Sequence, residues 1–418
     1  MRSDTTFAID TDDTVIANLQ NIQSKPYIVT STDTDYIILN CDPTLVFRDD
    51  TICGRMNPVV LCNQTRDILA IGPTKPYTLE KFKQIHGDKV NRDSIEITEM
   101  VEGLFFQLFW DERISKWEIG THNAVSGNYA YYRMPHVTSP TYRTMICEAM
   151  GNIEDLNDWK GLQFMDKRYC FHFVLQHPGN HFVYKITKPV IYIIGAFELH
   201  ADAVKNKIRP ISPKEYENIF PPDLVLLPTV LKMRSEKDIK YEDILEEFVS
   251  IQQPFTRMGI VIQHVDTGDT TIAITPAYEE LHKIRGTHPN LLFHYLCLKR
   301  IKKTEEFIRL FPQYYEFFCN FHDIYESTIT KIHQSYIDHF VLKTKPKIHK
   351  KYYFHIMQLH HTIFIPSLRE GSKIIVKKQV VRKYVEGLEP GQVLHLLQYE
   401  LYASQGVIRP DTLQPATP

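Results

Sequence analysis

The spacing of hydrophobic residues changes once along the chain, near residue 280, and this change limits the possible folds more than any other feature. Before it, runs rich in β-branched and aromatic residues, such as GLFFQLFW at 103–110, are separated by turn residues, which predicts β-strands. After it, apolar residues recur every three or four positions over 311–340, which predicts a long amphipathic helix. We therefore expect an α+β domain followed by an all-α domain.

The first domain is expected to contain strands with occasional helices and no regular βαβ alternation, so its sheets should be mixed or antiparallel. Strands are predicted at 27–32, 35–39, 58–62, 67–72, 103–110, 116–122, 169–176, 181–186 and 190–199. Helices are predicted at 78–87, 141–151, 240–251, 311–340, 352–364, 376–386 and 392–403. The expected domains are residues 1–280, residues 281–405 and a flexible tail at 406–418.

Charge is distributed unevenly between these domains, although the whole chain has a formal net charge of only −2. Residues 281–404 carry 19 Lys and Arg against 10 Asp and Glu, whereas residues 1–280 carry 28 against 39. A basic helical domain suits a polyanionic partner. The longest apolar run is too short to span a membrane, and the acidic N-terminus does not resemble a signal peptide. Seven widely spaced cysteines predict reduced thiols rather than a disulfide framework.

Four separated segments carry the motifs that bear on function. They are DILAIGPTKPYTLEKF (67–82), EMVEGLFFQLFWDERISKWEIGTHNAVSG (99–127), YCFHFVLQHPGNHFV (169–183) and PAYEELHKIRGTHPNLLFHYLCLKR (276–300). In this order they resemble the RNA ligase-like covalent nucleotidyltransferases of large DNA viruses, which are related to phage-type RNA ligases. The resemblance implies a ligase-like nucleotidyltransferase domain, an α-helical domain associated with RNA, and a viral protein located in the host cytoplasm or the virion.

In the family, a lysine amine attacks the α-phosphate of ATP to form a lysyl-AMP, and acidic and basic side chains hold ribose, phosphate and metal. This sequence departs from that set. Methionine stands two residues before Glu102, where the nucleophile belongs, and the other reagent positions align with Val174, Met258 and Ile272. Two arginines are replaced by His122 and His181. Glycine, proline and packing residues persist, among them Gly103, Trp117, Thr121, Asn123, His177, Pro178, Asn180 and Tyr278.

Candidate site residues follow from the resemblance, and each also has a plain structural interpretation. Lys75 is the candidate nucleophile or phosphate ligand, and otherwise a turn lysine. Candidate nucleotide-binding residues are Glu102, Gly103, Thr121, His122, His177, Asn180, His181 and Lys185, whose histidines and turn residues could equally be structural. Candidate RNA-binding residues are Lys299, Arg300, Lys302, Lys303, Lys377 and Lys378, which could equally form a solubilising surface. No metal site is expected, since the spacing of His355, His360 and His361 does not suit metal ligands on one helical face.

Three functional hypotheses follow. The preferred one is an RNA ligase-like viral protein with a degenerate catalytic set that binds RNA or a protein partner. The second is an active ATP-dependent RNA ligase that uses Lys75 as a displaced nucleophile, with ATP and Mg as cofactors. The third is a virion structural protein that reuses the fold. No membrane partner is expected.

Overall fold

The computed structural model describes residues 7–9, 25–30, 35–40, 57–65, 67–122, 124–130, 140–200, 206–233, 239–344, 348–372 and 374–399. The chain divides into two compact units. Unit 1 comprises Met1–Tyr131 and Pro140–Gly286, and unit 2 comprises Tyr132–Ser139 and Thr287–Pro418. Asn123, Lys373 and the predicted tail at 406–418 lie outside the described residues. Among the residues that are described, no helix has the length and apolar character needed to cross a membrane.

Unit 1 is built on antiparallel sheets joined by short helices. Its strands are β1 (Phe7–Ile9), β2 (Lys25–Thr30), β3 (Asp35–Asn40), β4 (Val59–Cys62), β5 (Ile68–Ile71), β6 (Lys89–Val90), β7 (Ile95–Glu99), β8 (Leu104–Asp111), β9 (Lys116–Gly120), β10 (Tyr169–Gln176), β11 (Val190–His200), β12 (Asn206–Pro210), β13 (Ile239–Lys240), β14 (Gly259–His264) and β15 (Thr270–Ile274). Its helices are α1 (Leu79–His86), α2 (Tyr142–Ala149), α3 (Pro213–Tyr216), α4 (Tyr241–Val249) and α5 (Pro276–Arg285).

The large sheet has six strands in the order β1-β12-β11-β10-β8-β9. Side chains along each strand point alternately to the two faces, so Phe171, Phe173 and Leu175 of β10 share one face. That face packs against α2 and against aromatic residues including Trp159 and Phe220, forming the main core of unit 1. Burial of these large rings supplies much of the driving force that holds the sheet against its cover.

Three smaller sheets complete the described part of unit 1. The four-stranded sheet β2-β3-β4-β5 covers one end of the opposite face of the large sheet, where Ile38 and Val60 pack against Phe109 and Cys170. The three-stranded sheet β15-β14-β7 is covered on one face by α1 and α4. A short pair, β13-β6, lies beside it.

Residues 100–103, which we call the corner, connect the three-stranded sheet to the large sheet. The Met100 amide donates to the Gly259 carbonyl at 2.9 Å, which continues the pairing of β7 with β14. Three residues later, at Gly103, the chain lies directly against the end of β10. A Cβ at Gly103 would lie 2.4 Å from the Leu175 carbonyl oxygen and 2.6 Å from Cγ1 of Val174. This close approach therefore requires glycine.

Unit 2 consists of helices within the residues that the structure describes. They are α6 (Leu291–Arg300), α7 (Thr304–Leu310), α8 (Tyr315–Tyr336), α9 (Lys350–Gln358), α10 (Ile365–Arg369), α11 (Lys378–Glu386) and α12 (Pro390–Leu397). Helix α8 buries one stripe that includes Phe318, Phe321, Tyr325 and Ile332. Wider π-helical turns follow α8 at Ile337–Val341 and α9 at Leu359–Phe364.

The α+β prediction, with helices following antiparallel sheets, is confirmed. The predicted strand at 181–186 is wrong: this segment forms bends and turns, because the amides of Phe182 and Val183 donate to a side chain rather than to a neighbouring strand. The long helix predicted at 311–340 begins only at Tyr315 and ends in the π turn. Helices α5, α6 and α7 were not predicted individually, and the predicted domain boundary at residue 280 falls inside α5.

The close approach of Gly103 to β10 generates a stability prediction. We expect Gly103→Ala to lower the free energy of unfolding of unit 1 by about 1–3 kcal/mol, because the added methyl group meets backbone that cannot move aside. Urea denaturation followed by tryptophan fluorescence will measure this, since all three tryptophans (Trp110, Trp117 and Trp159) lie in unit 1.

The control for this experiment is Gly391→Ala in α12, where a Cβ would meet no atom within 4 Å. Because this variant lies in unit 2, it should leave the tryptophan-reported unfolding of unit 1 unchanged. Equal stability of Gly103→Ala and wild type would contradict the close approach of the corner to β10.

Candidate functional site

The corner brings together positions that are far apart in the sequence. Met100 lies beside Gly259 at the start of β14, and the Thr275 amide donates to the Met258 carbonyl at 3.0 Å on the other side of that strand. Gly103 lies against Val174 near the end of β10. Three of the four family reagent positions, Met100, Val174 and Met258, are therefore adjacent to the corner.

The fourth position, Ile272, lies on the same face of the three-stranded sheet as Met100. Strand register pairs Thr98 with Val261, and Val261 with Ile272, and directly paired residues share a face. Met100 follows Thr98 by two residues, so it extends the same row. This face is opposite to the one that α1 and α4 cover.

The large sheet contributes a second row of side chains. The face that carries this row is called the cleft face below. Register pairs Val174 with Phe105 on one side and with Tyr192 on the other. Burial and then the charge of Glu99 raise the pKa of Tyr192, which places the end of β7 close to this row. The two rows therefore adjoin at the corner, and we call the space that they face the cleft; most of their side chains are apolar.

Lys75 lies in a turn, residues 72–76, that is anchored to both sheets. On the large sheet, Nε2 of His172 donates to the Ile71 carbonyl at 2.5 Å. On the three-stranded sheet, the Tyr77 amide donates to the Thr270 carbonyl at 2.7 Å. These anchors stand two residues from Val174 and Ile272, respectively, and the Lys75 side chain between them is buried.

His122 lies near Lys75 and faces the cleft. Its ring is 5.3 Å from the ring of Phe105, on the cleft face. Desolvation by the surrounding protein and the charge of Lys75 lower the pKa of His122, although the side chain remains accessible to solvent. A side chain that is both accessible and desolvated is expected on the wall of a concave site.

Glu102 is buried, and its carboxylate binds the protein itself. Its Oε1 accepts from the backbone amides of Phe182 at 2.9 Å and Val183 at 3.1 Å. Burial raises the pKa of Glu102, while these bonds, a hydrogen bond from Tyr278 and the charge of Arg285 act in the opposite direction. The carboxylate thus joins the corner to the loop after β10 and to helix α5.

Two other candidates close local turns. His177 accepts from the Gly179 amide at Nδ1 (2.9 Å), so its Nε2 carries the proton and donates to Glu148 at 2.7 Å. Thr121 donates to the Ala124 carbonyl at 2.8 Å and accepts from the Ala124 amide. In both residues the polar atoms serve the shape of the loop.

The remaining candidates on the His-Pro loop differ in their environment. Asn180 is 1% exposed, and its carboxamide makes no hydrogen bond to a described residue. Burial lowers the pKa of His181 to about 4, a shift opposed by a hydrogen bond to the Pro178 backbone. Lys185 is exposed. Of these three residues, Asn180 is the one with a fully buried carboxamide, and this group could bond a water or a ligand.

The cleft does not fit the magnesium that the resemblance implies. Within the described ranges, no group of three or more His, Cys, Asp or Glu side chains is arranged to hold a metal ion. Val174 and Ile272 offer no oxygen ligand, and Glu102 binds backbone amides. Magnesium prefers oxygen ligands, so the side chains of this cleft are unsuited to holding it.

The candidate RNA-binding residues of unit 2 fall into two groups: some contact another side chain of the unit, and the others are exposed to solvent. Lys299 lies over the ring of Tyr325, with Nζ 4.7 Å from its centroid, and burial lowers the pKa of this lysine. Arg300 pairs with Glu389 at 2.8 Å, and Lys303 lies 3.8 Å from Glu306. Lys302, Lys377 and Lys378 are exposed.

Several residues of the cleft were missed at the sequence level. His172, Phe105 and Tyr192 were assigned only to strands, yet alternation along β8, β10 and β11 could have placed them on the face of Val174. Arg285, which is fully buried and acts on Glu102 and His181, carried no signal. Its partners come from distant parts of the sequence.

No protein-family model matches the chain, and no curated protein matches it in sequence. Similar solved structures include a Naegleria gruberi RNA ligase mutant with ATP and Mn, which is 17% identical over 62% of this chain and 65% of that chain, with a TM-score of 0.34. The match thus spans just under two thirds of that ligase.

Two further similar structures are an archaeal ATP-dependent RNA ligase and a proposed ATP-dependent DNA ligase from Aquifex aeolicus. The first is 10% identical over 72% of this chain and 68% of that chain, with a TM-score of 0.36. The second is 11% identical over 84% of this chain and 88% of that chain, with a TM-score of 0.37. Similarity at this level does not by itself assign an activity.

The contacts of Glu102 generate a prediction that separates shape from charge. At pH 7, Glu102→Gln should leave the free energy of unfolding unchanged or slightly higher, because an amide oxygen can accept the same two bonds without burying a charge. Glu102→Ala should lower it by about 2–4 kcal/mol, because two backbone amides lose their acceptor. Urea denaturation followed by tryptophan fluorescence will compare the variants.

The pH dependence has a definite sign. Because burial raises the pKa of Glu102 in the folded state, its contribution to stability is present below the unfolded pKa and is lost as pH rises through the folded pKa. Glu102→Gln should lack this loss. If Glu102→Gln destabilises unit 1 as much as Glu102→Ala, the corner requires the charge itself and not only an acceptor oxygen.

Proposed function

We propose that this chain is an RNA ligase-like protein of a large DNA virus whose cleft no longer performs nucleotidyl transfer, and that it acts by binding RNA through unit 2. One observation carries the proposal: Met100, Val174 and Met258 lie beside one corner, Ile272 lies on the same sheet face as Met100, and the carboxylate of the corner binds backbone amides. The architecture that would position a reagent set is therefore present around side chains that have no such chemistry.

The chemistry of those four side chains supports this interpretation. Attack on the α-phosphate of ATP needs an unprotonated amine, and neither methionine nor an aliphatic side chain titrates or carries one. The transition state gathers negative charge on phosphate oxygens, which requires donors or cations. Apolar rows instead make it costly to bring a polyphosphate out of water.

RNA binding is supported by the charge of the helical domain. Its surplus of seven positive charges over 287–404 is reduced by internal pairs, but Lys302, Lys377 and Lys378 remain exposed. Tyr353 and Phe354 are 54% and 58% exposed on α9, next to the exposed Lys350. Exposed rings beside lysines suit single strands, whose bases stack while their phosphates meet the cations.

A second candidate function is ATP-dependent RNA ligation through Lys75, and the position of the Lys75 turn favours it. The turn is fastened to both sheets beside the cleft, and Lys75 is close enough to His122 to affect its pKa. In this reaction the Lys75 amine would form a bond to the α-phosphorus while the bond to pyrophosphate breaks. The amine proton would leave to solvent.

An adenylylation assay distinguishes the two candidates. We expect the purified full-length protein, incubated with α-labelled ATP and magnesium or manganese, to form no covalent AMP adduct, because the reagent positions are apolar. Intact-mass spectrometry and gel autoradiography will measure this. A covalent adduct in the wild-type protein would overturn the proposal.

Two variants sharpen the assay. An adduct that disappears in Lys75→Ala would establish the second candidate. Met100→Lys returns an amine to the expected nucleophile position, and we expect it to remain inactive because Val174, Met258 and Ile272 still lack charge.

RNA binding should be electrostatic and sensitive to salt. About four phosphate contacts on a single strand give a slope near −2.8 in log K against log salt, which is a loss of roughly 50-fold between 50 and 200 mM salt. Fluorescence anisotropy with a labelled single-stranded RNA will measure both values. No binding even at low salt would contradict the proposal and favour a structural role.

Substitutions in unit 2 should separate free from paired cations. Lys302→Ala and Lys378→Ala should each reduce the salt slope by about one contact, that is by about 0.7. Arg300→Ala should change it little, because Arg300 is paired with Glu389. Lys283→Ala in unit 1, whose side chain is 71% exposed, is the control and should have no effect.

A further inference from the structure

A cavity of about 400 Å³ lies within unit 2 where α8 ends. Its walls come from the π turn Ile337–Val341, the π turn Leu359–Phe364 and the extended residues that precede α11. The volume lies in the range of small-ligand sites. π turns inserted in helices often occur at functional sites, and here they form two walls of one cavity.

One wall is a column of three rings. The rings of Phe340 and His360 are 3.8 Å apart and nearly parallel, at 5°. Phe364 continues the column, 5.2 Å from His360 and tilted by 24°. Such a column presents a flat surface on which another planar ring can stack.

The imidazole in this column is held in place and keeps hydrogen-bonding capacity. The Tyr336 hydroxyl lies 3.2 Å from Nδ1 of His360. Burial, followed by the neighbouring His361 and His339, lowers the pKa of His360, so the ring is neutral near pH 7. A neutral imidazole carries one N–H, so one ring nitrogen of His360 can donate and the other can accept.

The mouth of the cavity is apolar and bordered by positive charge. Ile375 and Val341 both line the cavity and are 65% and 62% exposed. Lys377 lies at the edge and is exposed, and Lys378 follows it. Asp338, the acidic residue of the adjoining π turn, is buried and accepts from Gln334 at 2.8 Å, so its carboxylate faces the protein.

We propose that this cavity binds one unstacked base of a single-stranded RNA, with Lys377 contacting the adjacent phosphate. The base stacks on the end of the ring column, and the positive edge of the cavity matches the charge of the RNA backbone. This site deepens the proposed RNA-binding function of unit 2 and rests on it. A base paired in a duplex cannot enter, so the site selects unpaired RNA.

The test uses the full-length protein and a single-stranded RNA that contains one 2-aminopurine, with a blunt duplex of the same sequence for comparison. The fluorescence of 2-aminopurine reports stacking, and anisotropy reports affinity. Wild type should bind the single strand at least about tenfold more tightly than the duplex and change the 2-aminopurine signal, because stacking on a protein ring contributes strongly per base.

Three variants address the cavity. Ile375→Glu places a negative charge at the exposed mouth, and Phe364→Leu removes a ring while keeping apolar volume. Each should weaken single-strand binding about tenfold and abolish the 2-aminopurine change. Lys377→Ala should lower the salt slope by about one contact. Ile251→Glu in unit 1, at a residue that is 81% exposed, is the matched control and should leave both signals unchanged.

The outcomes separate this inference from the proposed function. RNA binding that is unaffected by Ile375→Glu and Phe364→Leu, or equal for single strand and duplex, overturns the cavity site and leaves RNA binding by unit 2 in place. The absence of RNA binding at low salt refutes the proposed function itself. If the protein instead binds anionic vesicles and Ile375→Glu abolishes that binding alone, the cavity serves a lipid and the inference is wrong.

Discussion

The corner of unit 1 depends on a buried carboxylate that is bonded to backbone from another part of the fold. Glu102 accepts from the amides of Phe182 and Val183 and is also reached by Tyr278 and the charge of Arg285. A buried carboxylate is costly unless it is satisfied in this way. Because its partners come from the loop after β10 and from α5, one side chain holds three separate elements in register around the cleft.

This role means that the shape of the corner does not depend on which side chains line the cleft. Residues that shape the corner, such as Gly103 and Glu102, are needed for folding, since a Cβ at Gly103 would collide with β10 and the carboxylate satisfies two amides. Residues that act only on a substrate have no such second duty. Under the proposed function, Met100 and Val174 would occupy such positions while the shape of the corner is kept.

The sequence predicted the fold better than it predicted the contacts of the site. Periodicity along β8, β10 and α8 is local, and the α+β arrangement followed from it. The segment at 181–186 has the composition of a strand, but its amides bind Glu102, about 80 residues away, and composition does not reveal such a partner. His177 likewise could be taken for a ligand until its bonds to Gly179 and Glu148 were known.

Net charge was a similarly incomplete guide in unit 2. The surplus of lysine and arginine counts every cation equally, yet Arg300 is held by Glu389, Arg382 by Glu326, and Lys299 by an aromatic ring. A cation already neutralised within the protein releases few counterions from RNA, so it adds little to affinity. The surface that can attract a polyanion is therefore smaller than the composition indicates. It includes exposed lysines that border the aromatic cavity, where the proposed site would bring charge and a stacking surface to the same nucleotide.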